Sequence, residues 1–443
     1  MPASIKLLEL WQMLFVPMKM LYISQYFPPE MGAPAARAAE LSQHWATLGH
    51  KVTVLTGFPN HPIGTIPLEY RARFRRLVAR EKINRVAVLR TWLLPFPNRK
   101  AYERMLNYTS FCISAAIAGT FCSRPDVVIA TSPQLLVGLS GWWIARCKRV
   151  PFVFEVRDLW PESLAAVGMG RENSTLYRTL ARISRFLYRH ADHIVVVTPA
   201  FENYLVERCG VARSKISVVE NGVETQLFSP RFSTQASADL RRELRVEGKF
   251  VVSYIGTLGL AHGLDTIISA AAELQDTNPE VTFLIVGEGA EKEKILALAK
   301  SQSLRNLKFI PQQPRDQIPA YIAASDVCLV LLKKADLFKT VIPTKMLEFM
   351  SCARPVILGV DGQARAILEE AGAGIVIEPE NSAALVDAIR NLCAYPERGR
   401  ELGRLGREHI LRRYSRGQKA RKYLAVLEEL LKVPGEKSTG IAA

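Results

Sequence analysis

The feature that most limits the fold of this chain is a rhythm that occurs twice. Beginning near Lys19, short runs rich in β-branched residues alternate with helix-length segments such as Ala35 to Leu48 and Tyr102 to Phe121. The runs are "MLYISQ", "KVTVLTG", "VAVLRTWL", "DVVIATS", "FVFEVRD", "HIVVVTP" and "ISVVENG". Strands apolar on both faces need cover on both, and a helix between successive strands supplies it, so the pattern means α/β with a parallel sheet. After "NGVETQLFSP" a polar stretch, "RFSTQASADLRRELRVEGK", carries no strand pattern. The rhythm then restarts with "FVVSYIG", "VTFLIVG", "LKFIP", "DVCLVLL", "PVILG" and "GIVIEP". Between two of these, Leu264, Ile267, Ile268, Ala271 and Leu274 recur at the period of a helix face.

Two doubly wound, Rossmann-like parallel-sheet domains facing across a cleft are therefore expected, with ligand sites at the carboxyl ends of the strands. A chain of 443 residues is long enough for both, since single cores rarely grow beyond about 250–300 residues. The reading divides it into an extension at 1–18, a first domain at 19–228, a linker at 229–248 and a second domain at 249–410. An amphipathic helix at 411–433 is expected to pack back on the first domain, followed by a tail at 434–443. The apolar start, "LLELWQMLFVPMKMLYISQYF", lacks the basic beginning and small-residue cleavage site of a signal peptide. Met18 is an alternative initiation point, because the first strand pattern begins only there.

Seven scattered cysteines without a C-x-x-C pair argue against a disulfide framework or a zinc site, and fit a reducing cytoplasm. The formal charge of +16 is unevenly spread: residues 1–225 hold 28 basic and 16 acidic residues. Within them, Arg71 to Lys100 has ten basic residues against the single acid Glu81, interleaved with Phe74, Leu77, Trp92, Leu93, Leu94 and Phe96. Such a run suits an anionic membrane surface, with "LLVGLSGWWIARCKR" from Leu135 assisting. A solvated basic face with a few core anchors is the plainer alternative. No helix-turn-helix, RNP-like or zinc pattern supports nucleic-acid binding.

Two stretches of the second half point to a phosphorylated ligand. The strand "VVSYIG" runs into Gly256, Thr257, Leu258 and Gly259, then His262 and a helix. A glycine-rich turn of this kind brings backbone N–H groups close to an anion, although glycines at such corners also serve only to permit unusual backbone angles. The second stretch, "VIPTKMLEFMSCARPVI", sets Lys345 and Glu348 among apolar residues. Pro343 suits a first helical position, leaving the N–H groups of Thr344 to Met346 exposed at the helix start. Lys345 lies in that first turn, where a cation is unfavourable unless an anion is bound. Glu348 follows Pro343 by five residues, which is about 7.5 Å along a helix axis. That is roughly the reach from a diphosphate to the hydroxyls of its ribose. The alternative is a local Lys345–Glu348 pair, worth a few tenths of a kcal/mol.

"NGVETQLFSP", "FLIVGEG", "IPAYIAASDVCLVLL" and "PTKMLEFMSCARPVI" together resemble the retaining glycosyltransferases of GT-B fold, family four, over nearly the whole chain from Lys19. In the first domain, "MLYISQYFPPEMGAPAARAAELSQHWATLGHKVTVLTGFPNHPIG" and "EVRDLWPES" resemble the branch that transfers N-acetylfucosamine or related amino sugars in bacterial surface polysaccharide assembly. The resemblance implies that Glu348 binds the ribose of a nucleotide sugar and that Gly32 approaches the donor diphosphate from the opposite domain. It further implies that Phe309 and Ile310 receive the base through main-chain groups, with Gly287, Glu288 and Gly289 lining the floor. Where many relatives carry a second glutamate, eight residues before Glu348, this chain has Thr340. Where many carry an arginine and a lysine for the diphosphate, it has Thr257 and His262. Lys345 becomes the main candidate for neutralising the leaving group, with Arg37 either supporting it or an ordinary surface residue.

In "EVRDLWPES" the acids end a strand on the cleft side, and a carboxylate there would take the acceptor hydroxyl's proton or orient the acceptor. Asp158 is the first choice and Glu162 the second, although Asp158 also suits a cap or a pair with Arg157. His190 and His193 flank Asp192 but suit structural roles at a helix-to-strand junction, and no D-x-D pair exists to hold a bridging cation. No cofactor or metal is expected beyond the nucleotide-sugar donor, UDP-linked by resemblance, together with a lipid-linked saccharide acceptor. The location expected is cytoplasmic, peripheral on the inner face of the cell membrane. The competing enzyme class is a GT-B-fold nucleotide-sugar epimerase.

Overall fold

The computed structural model describes residues 16–61, 64–96, 101–166, 174–230 and 235–432. Residues 1–15, the tail from 434 and the Arg99–Lys100 end of the basic run lie outside them. In the first domain the elements run β1 (Lys19–Ile23), α1 (Ala33–Thr47), β2 (Lys51–Gly57), α2 (Leu68–Phe74), β3 (Val78–Ile83), β4 (Val86–Thr91) and α3 (Ala101–Thr120). They continue with β5 (Val127–Thr131), α4 (Val137–Lys148), β6 (Phe152–Val156), α5 (Glu162–Ala166), α6 (Thr175–His190), β7 (His193–Val196), α7 (Pro199–Cys209) and β8 (Ile216–Val218). The sheet order is β3-β4-β2-β1-β5-β6-β7-β8. Every pairing is parallel except β3 with β4.

The second domain follows α8 (Gln235–Glu243) with β9 (Phe250–Ile255), α9 (Asp265–Thr277), β10 (Val281–Val286), α10 (Lys292–Ser301), β11 (Leu307–Ile310), α11 (Ile318–Ala323) and β12 (Val327–Leu331). Then come α12 (Thr344–Ser351), β13 (Val356–Gly359), α13 (Gln363–Ala371), β14 (Gly374–Val376), α14 (Ser382–Ala394), α15 (Pro396–Arg413) and α16 (Arg416–Lys432). Its sheet is parallel throughout, ordered β11-β10-β9-β12-β13-β14. Both sheets are thus buried under helices, and β5, β6, β10 and β12 expose no residue to solvent. The stretch read as a linker without a strand pattern contains α8, whose Arg241 pairs with Asp326 of the second domain. A helix of nine residues with few apolar positions leaves a weak periodic signal.

The chain crosses between domains twice, side by side. The Val223 N–H donates to the Tyr414 carbonyl and the Arg416 N–H to that of Val223, both at 2.9 Å. A Cβ on Gly222 would lie 2.9 Å from the Tyr414 carbonyl oxygen, which is why "NGVE" has a glycine there. Helix α16 then packs against α1: Tyr423 meets Trp45 edge to face at 5.3 Å, and the Trp45 indole N–H donates to the Ala420 carbonyl.

Two expectations for the first domain change. Arg37 is neither a surface residue nor a ligand of the leaving group. It is fully buried, its guanidinium 2.7 Å from Glu155 and bonded to the carbonyls of Val219 and Glu220 as the chain enters the crossing. In the basic run, the aromatic residues turn inward: Phe74 packs on Phe58 and stacks on Trp92, and Leu93 is buried. Arg90, also buried, pairs with Glu81. The arginines outside this small core, Arg71, Arg73, Arg75, Arg76 and Arg80, remain exposed.

Candidate functional site

The two sheets face each other by the carboxyl ends of their strands, and each contributes one edge of a site. On the second domain the edge is α12. Pro343 stands just before the helix and Thr344 is its first residue, one position later than the spacing suggested. No side chain caps this start. The buried face, Met346, Leu347, Phe349 and Met350, is wholly inaccessible and fixes the helix against the sheet.

Lys345 and Glu348 do not pair with each other through a hydrogen bond. The Lys345 ammonium is buried without a hydrogen-bond partner, 3.9 Å from the centre of the Tyr254 ring. It lies against the glycine turn, since a Cβ on Gly256 would sit 3.3 Å from it. Burial pulls its pKa down to about 7, a fall that Glu348 only partly opposes. A buried cation in this state is costly, and an anion in the turn would relieve the cost.

The glycine turn owes much of its composition to packing. A Cβ on Gly287 would strike the Gly256 carbonyl oxygen at 1.9 Å, and one on Gly289 the Leu258 carbonyl oxygen at 2.2 Å. The N–H groups of Gly256 and Leu258 donate to Val286 and Glu288, and that of Gly259 to the His262 ring. Those three donors are therefore committed, and the turn's contribution is the close approach it permits. Burial and the neighbouring Lys345 push the His262 imidazole down to about 3, so it carries no charge at neutral pH. Thr257 is exposed at the rim, and Lys345 is the cation of this corner.

Glu348 is buried and held by a residue that the sequence did not single out. Arg315, after β11, reaches its Oε1 at 3.0 Å and Glu40 of α1 at 2.6 Å, while Glu40 also meets Arg416 at 2.7 Å. The Arg315 guanidinium lies 4.9 Å from the centre of the Phe228 ring. Burial raises the Glu348 carboxyl and Arg315 opposes the rise. Strand β11 is the sheet edge, and Ile310 turns its carbonyl inward to the Gly287 N–H. By the alternation of a strand, the main-chain groups of Phe309 face the open edge. Thr340 bonds the Leu337 carbonyl at the end of a short 3-10 turn, Asp336–Thr340.

The first-domain edge is assembled from several segments. Asp158, just after β6, lines a cavity of about 280 Å³ with Arg104 and Tyr108 of α3, Gln134 and Trp160, and with Leu337, Phe338 and Val341 from the second domain. Burial raises the Asp158 carboxyl to about 6 against the pull of Arg157. Glu162 is turned away, accepting the Tyr204 hydroxyl at 2.6 Å. Gly32 caps α1 with φ 127°, in a loop tied down by Glu30, whose carboxylate accepts the N–H groups of Asn60 and His61 at 3.0 Å. Arg157 donates to the Ala33 carbonyl of that loop, with its Nε and Nη1 buried and unpaired. His190 and His193 bond the Phe186 carbonyl and Ser217, and among the described residues no three metal-ligating side chains come together.

Two facing α/β domains, a C-terminal helix returning to the first, and a charged helix start opposite a buried acid define a GT-B glycosyltransferase architecture. Residues 236–409 match the family described as "Glycosyl transferases group 1", and residues 32–222 match the "Glycosyl transferase 4-like domain". The chain belongs to this family, the group 1, family four glycosyltransferases. It is 25% identical to the putative colanic acid biosynthesis glycosyl transferase WcaI of Escherichia coli, over 90% of this chain and 98% of that one. It is 26% identical to the probable glycosyltransferase WbjE of Pseudomonas aeruginosa, over 70% and 74%. Among solved structures, Anabaena Alr3699/HepE in complex with UDP-glucose superposes with a TM-score of 0.69 at 17% identity, covering 93% of this chain and all of that one. At that identity the likeness concerns the fold.

Proposed function

We propose that the protein transfers a sugar from a UDP-linked donor to a lipid-linked saccharide, with retention, in bacterial surface polysaccharide assembly at the inner face of the cell membrane. The observation that carries this reading is the unpartnered Lys345 ammonium at an uncapped helix start, one turn from Glu348. In this assignment the diphosphate lies between Lys345 and the turn at Gly256 to Gly259, and approaches Gly32 across the cleft. The ribose hydroxyls donate to Glu348, and the base lies along β11 at Phe309. The bond from the anomeric carbon to the diphosphate breaks, and Lys345 with the helix start stabilises the charge that develops on the leaving group. The acceptor oxygen attacks on the same face and its proton passes to Asp158.

The UDP complexes of the Anabaena structures and the polysaccharide role named for WcaI support the donor and the pathway class. An amino deoxysugar such as N-acetylfucosamine rests on the first-domain resemblance. The test is thermal stabilisation by a panel of nucleotide sugars, then turnover of the stabilising donor with a lipid-diphosphate acceptor. UDP donors are expected to stabilise the wild type and to lose that effect in Glu348→Ala. Equal stabilisation of both proteins would overturn the site assignment.

A further inference from the structure

Helices α3, α4 and α6 form the outer layer of the first domain, and their composition is unusual for a solvated face. Between Arg104 and Arg124 the chain has no charged residue. The solvent side of α3 consequently exposes Leu106 at 45%, Ile113 at 57% and Ile117 at 58%, with Phe121 at 82% just past its end. These positions are separated by seven, four and four residues, so they form a stripe along one side of the helix. Opposite them, Phe111 and Ala115 are fully buried in the domain core. Exposed helix faces normally carry charge, and an apolar stripe of several turns marks a surface that meets something.

The neighbouring helices indicate what it meets. Helix α4 packs on α3 and exposes Trp143 and Arg146. Helix α6, packed on α4 in turn, exposes Arg178, Arg182, Arg185 and Arg189 and contains no acid. At the far end of α3, Lys148 bonds the Cys122 carbonyl and Arg124 the Arg149 carbonyl, adding cations beside Phe121. Across the three helices Glu103 is the only acidic residue. Apolar side chains flanked by arginines with almost no acid are complementary to anionic head groups over acyl chains. A second copy would bring a like-charged layer to this one, which disfavours self-association through it. No helix among the described residues is long and apolar enough to cross a bilayer, so contact would be made by lying on it.

We infer that the α3–α4–α6 layer docks the enzyme on an anionic lipid surface, with the Leu106–Phe121 stripe inserted and the α6 arginines on the head groups. This places the contact away from Arg71 to Arg76, where the aromatic residues are used internally. Residues Arg104 and Tyr108, in the first turns of the same α3, line the cavity that holds Asp158. A lipid-borne acceptor would thus emerge beside its cavity. That consequence rests on the proposed acceptor, whereas the docking face does not.

The test is co-sedimentation of the full chain with phosphatidylcholine vesicles, with and without phosphatidylglycerol, in the absence of donor and acceptor. Wild type should bind only vesicles containing phosphatidylglycerol. Ile113→Glu with Ile117→Glu, and separately Arg182→Gln with Arg185→Gln, should each weaken binding by about tenfold or more, at about 1 kcal/mol per charge near the surface. Arg71→Gln with Arg75→Gln should bind as wild type does. Unchanged binding by both the isoleucine and the α6 variants, or wild-type binding indifferent to phosphatidylglycerol, would overturn the inference. So would a dimer in solution that Ile113→Glu with Ile117→Glu dissolves. An unchanged far-UV circular dichroism spectrum and thermal melt in these variants exclude misfolding and keep the result independent of the donor-site reading.

Discussion

The two edges of the cleft hold their charges differently. On the second domain, Lys345 and Glu348 belong to one eight-residue helix, and each has a distinct electrostatic state: a cation without a hydrogen-bond partner and a carboxylate clamped by Arg315. On the first domain, Asp158 sits in a cavity built from segments far apart in sequence, with burial setting its proton affinity. The contrast teaches that the second-domain edge concentrates a buried cation and a clamped carboxylate on one helix, whereas the first-domain edge is a cavity with one acid, Asp158. Glu155 and Arg37 provide a third case, a fully buried pair with no access to the cleft.

Breaking the donor edge should have the largest effect. Lys345→Met is expected to lower kcat by about 10²–10³-fold, as loss of one leaving-group stabiliser does elsewhere. The same substitution should leave the Tm of the unliganded protein unchanged or raised, since it removes a buried charge that lacks a partner. Both are read from steady-state kinetics and a thermal melt. A variant that is inactive because it is unfolded would fail the second measurement.

Asp158→Asn tests the acceptor edge and should cost about 10²–10⁴-fold in kcat with little change in donor KM. Because the carboxyl is raised to about 6, the wild-type rate should fall as pH drops through that value, where the base becomes protonated. A wild-type acid limb that survives in Asp158→Asn would remove Asp158 from the role. Glu155→Gln should instead act on stability, with a loss of about 3–5 kcal/mol from stranding Arg37, measured by denaturant unfolding.

Arg315→Gln should have a smaller effect than these. Loss of one charge-assisted hydrogen bond costs about 1.5–3 kcal/mol, and the expected result is a higher donor KM with kcat largely kept. Glu40→Gln should move KM the same way but less, because it touches Glu348 only through Arg315. A fall in kcat without a rise in KM would show that Arg315 does not position the Glu348 carboxylate for donor binding.

The sequence showed the strands well, because their buried, β-branched runs follow from local composition, and every run read as a strand contains one. It did not show β3, whose sequence VAREKI has no apolar alternation and, at a sheet edge, merges into the basic run. Helix α12 was legible since its charges stand at fixed spacing on one element, although the local Lys345–Glu348 pair was equally compatible with that spacing. Arg315, Glu40 and Tyr254 were not legible. Each acquires meaning only from a contact across the fold, and a lone arginine in "PQQPRDQ" gives no periodic or motif signal. Likewise Gly256 read as part of a phosphate turn and Gly287 and Gly289, by resemblance, as the floor of the base site, and only the close approach of Gly287 to Gly256 and of Gly289 to Leu258 reveals that packing alone would require Gly287 and Gly289.

The central claim is that the α12 start awaits a diphosphate, and Lys345 makes it measurable. With a pKa of about 7 in the unliganded protein, this lysine is only partly protonated near neutrality, and a bound dianion would raise its pKa and draw in a proton. Calorimetric titration of UDP at pH 7.5 in buffers of different ionisation enthalpy should therefore report proton uptake, with affinity weakening as pH rises above about 7. Lys345→Met should bind UDP more weakly and without that uptake. Proton-neutral binding of UDP by the wild type, at an affinity shared by Lys345→Met, would contradict it.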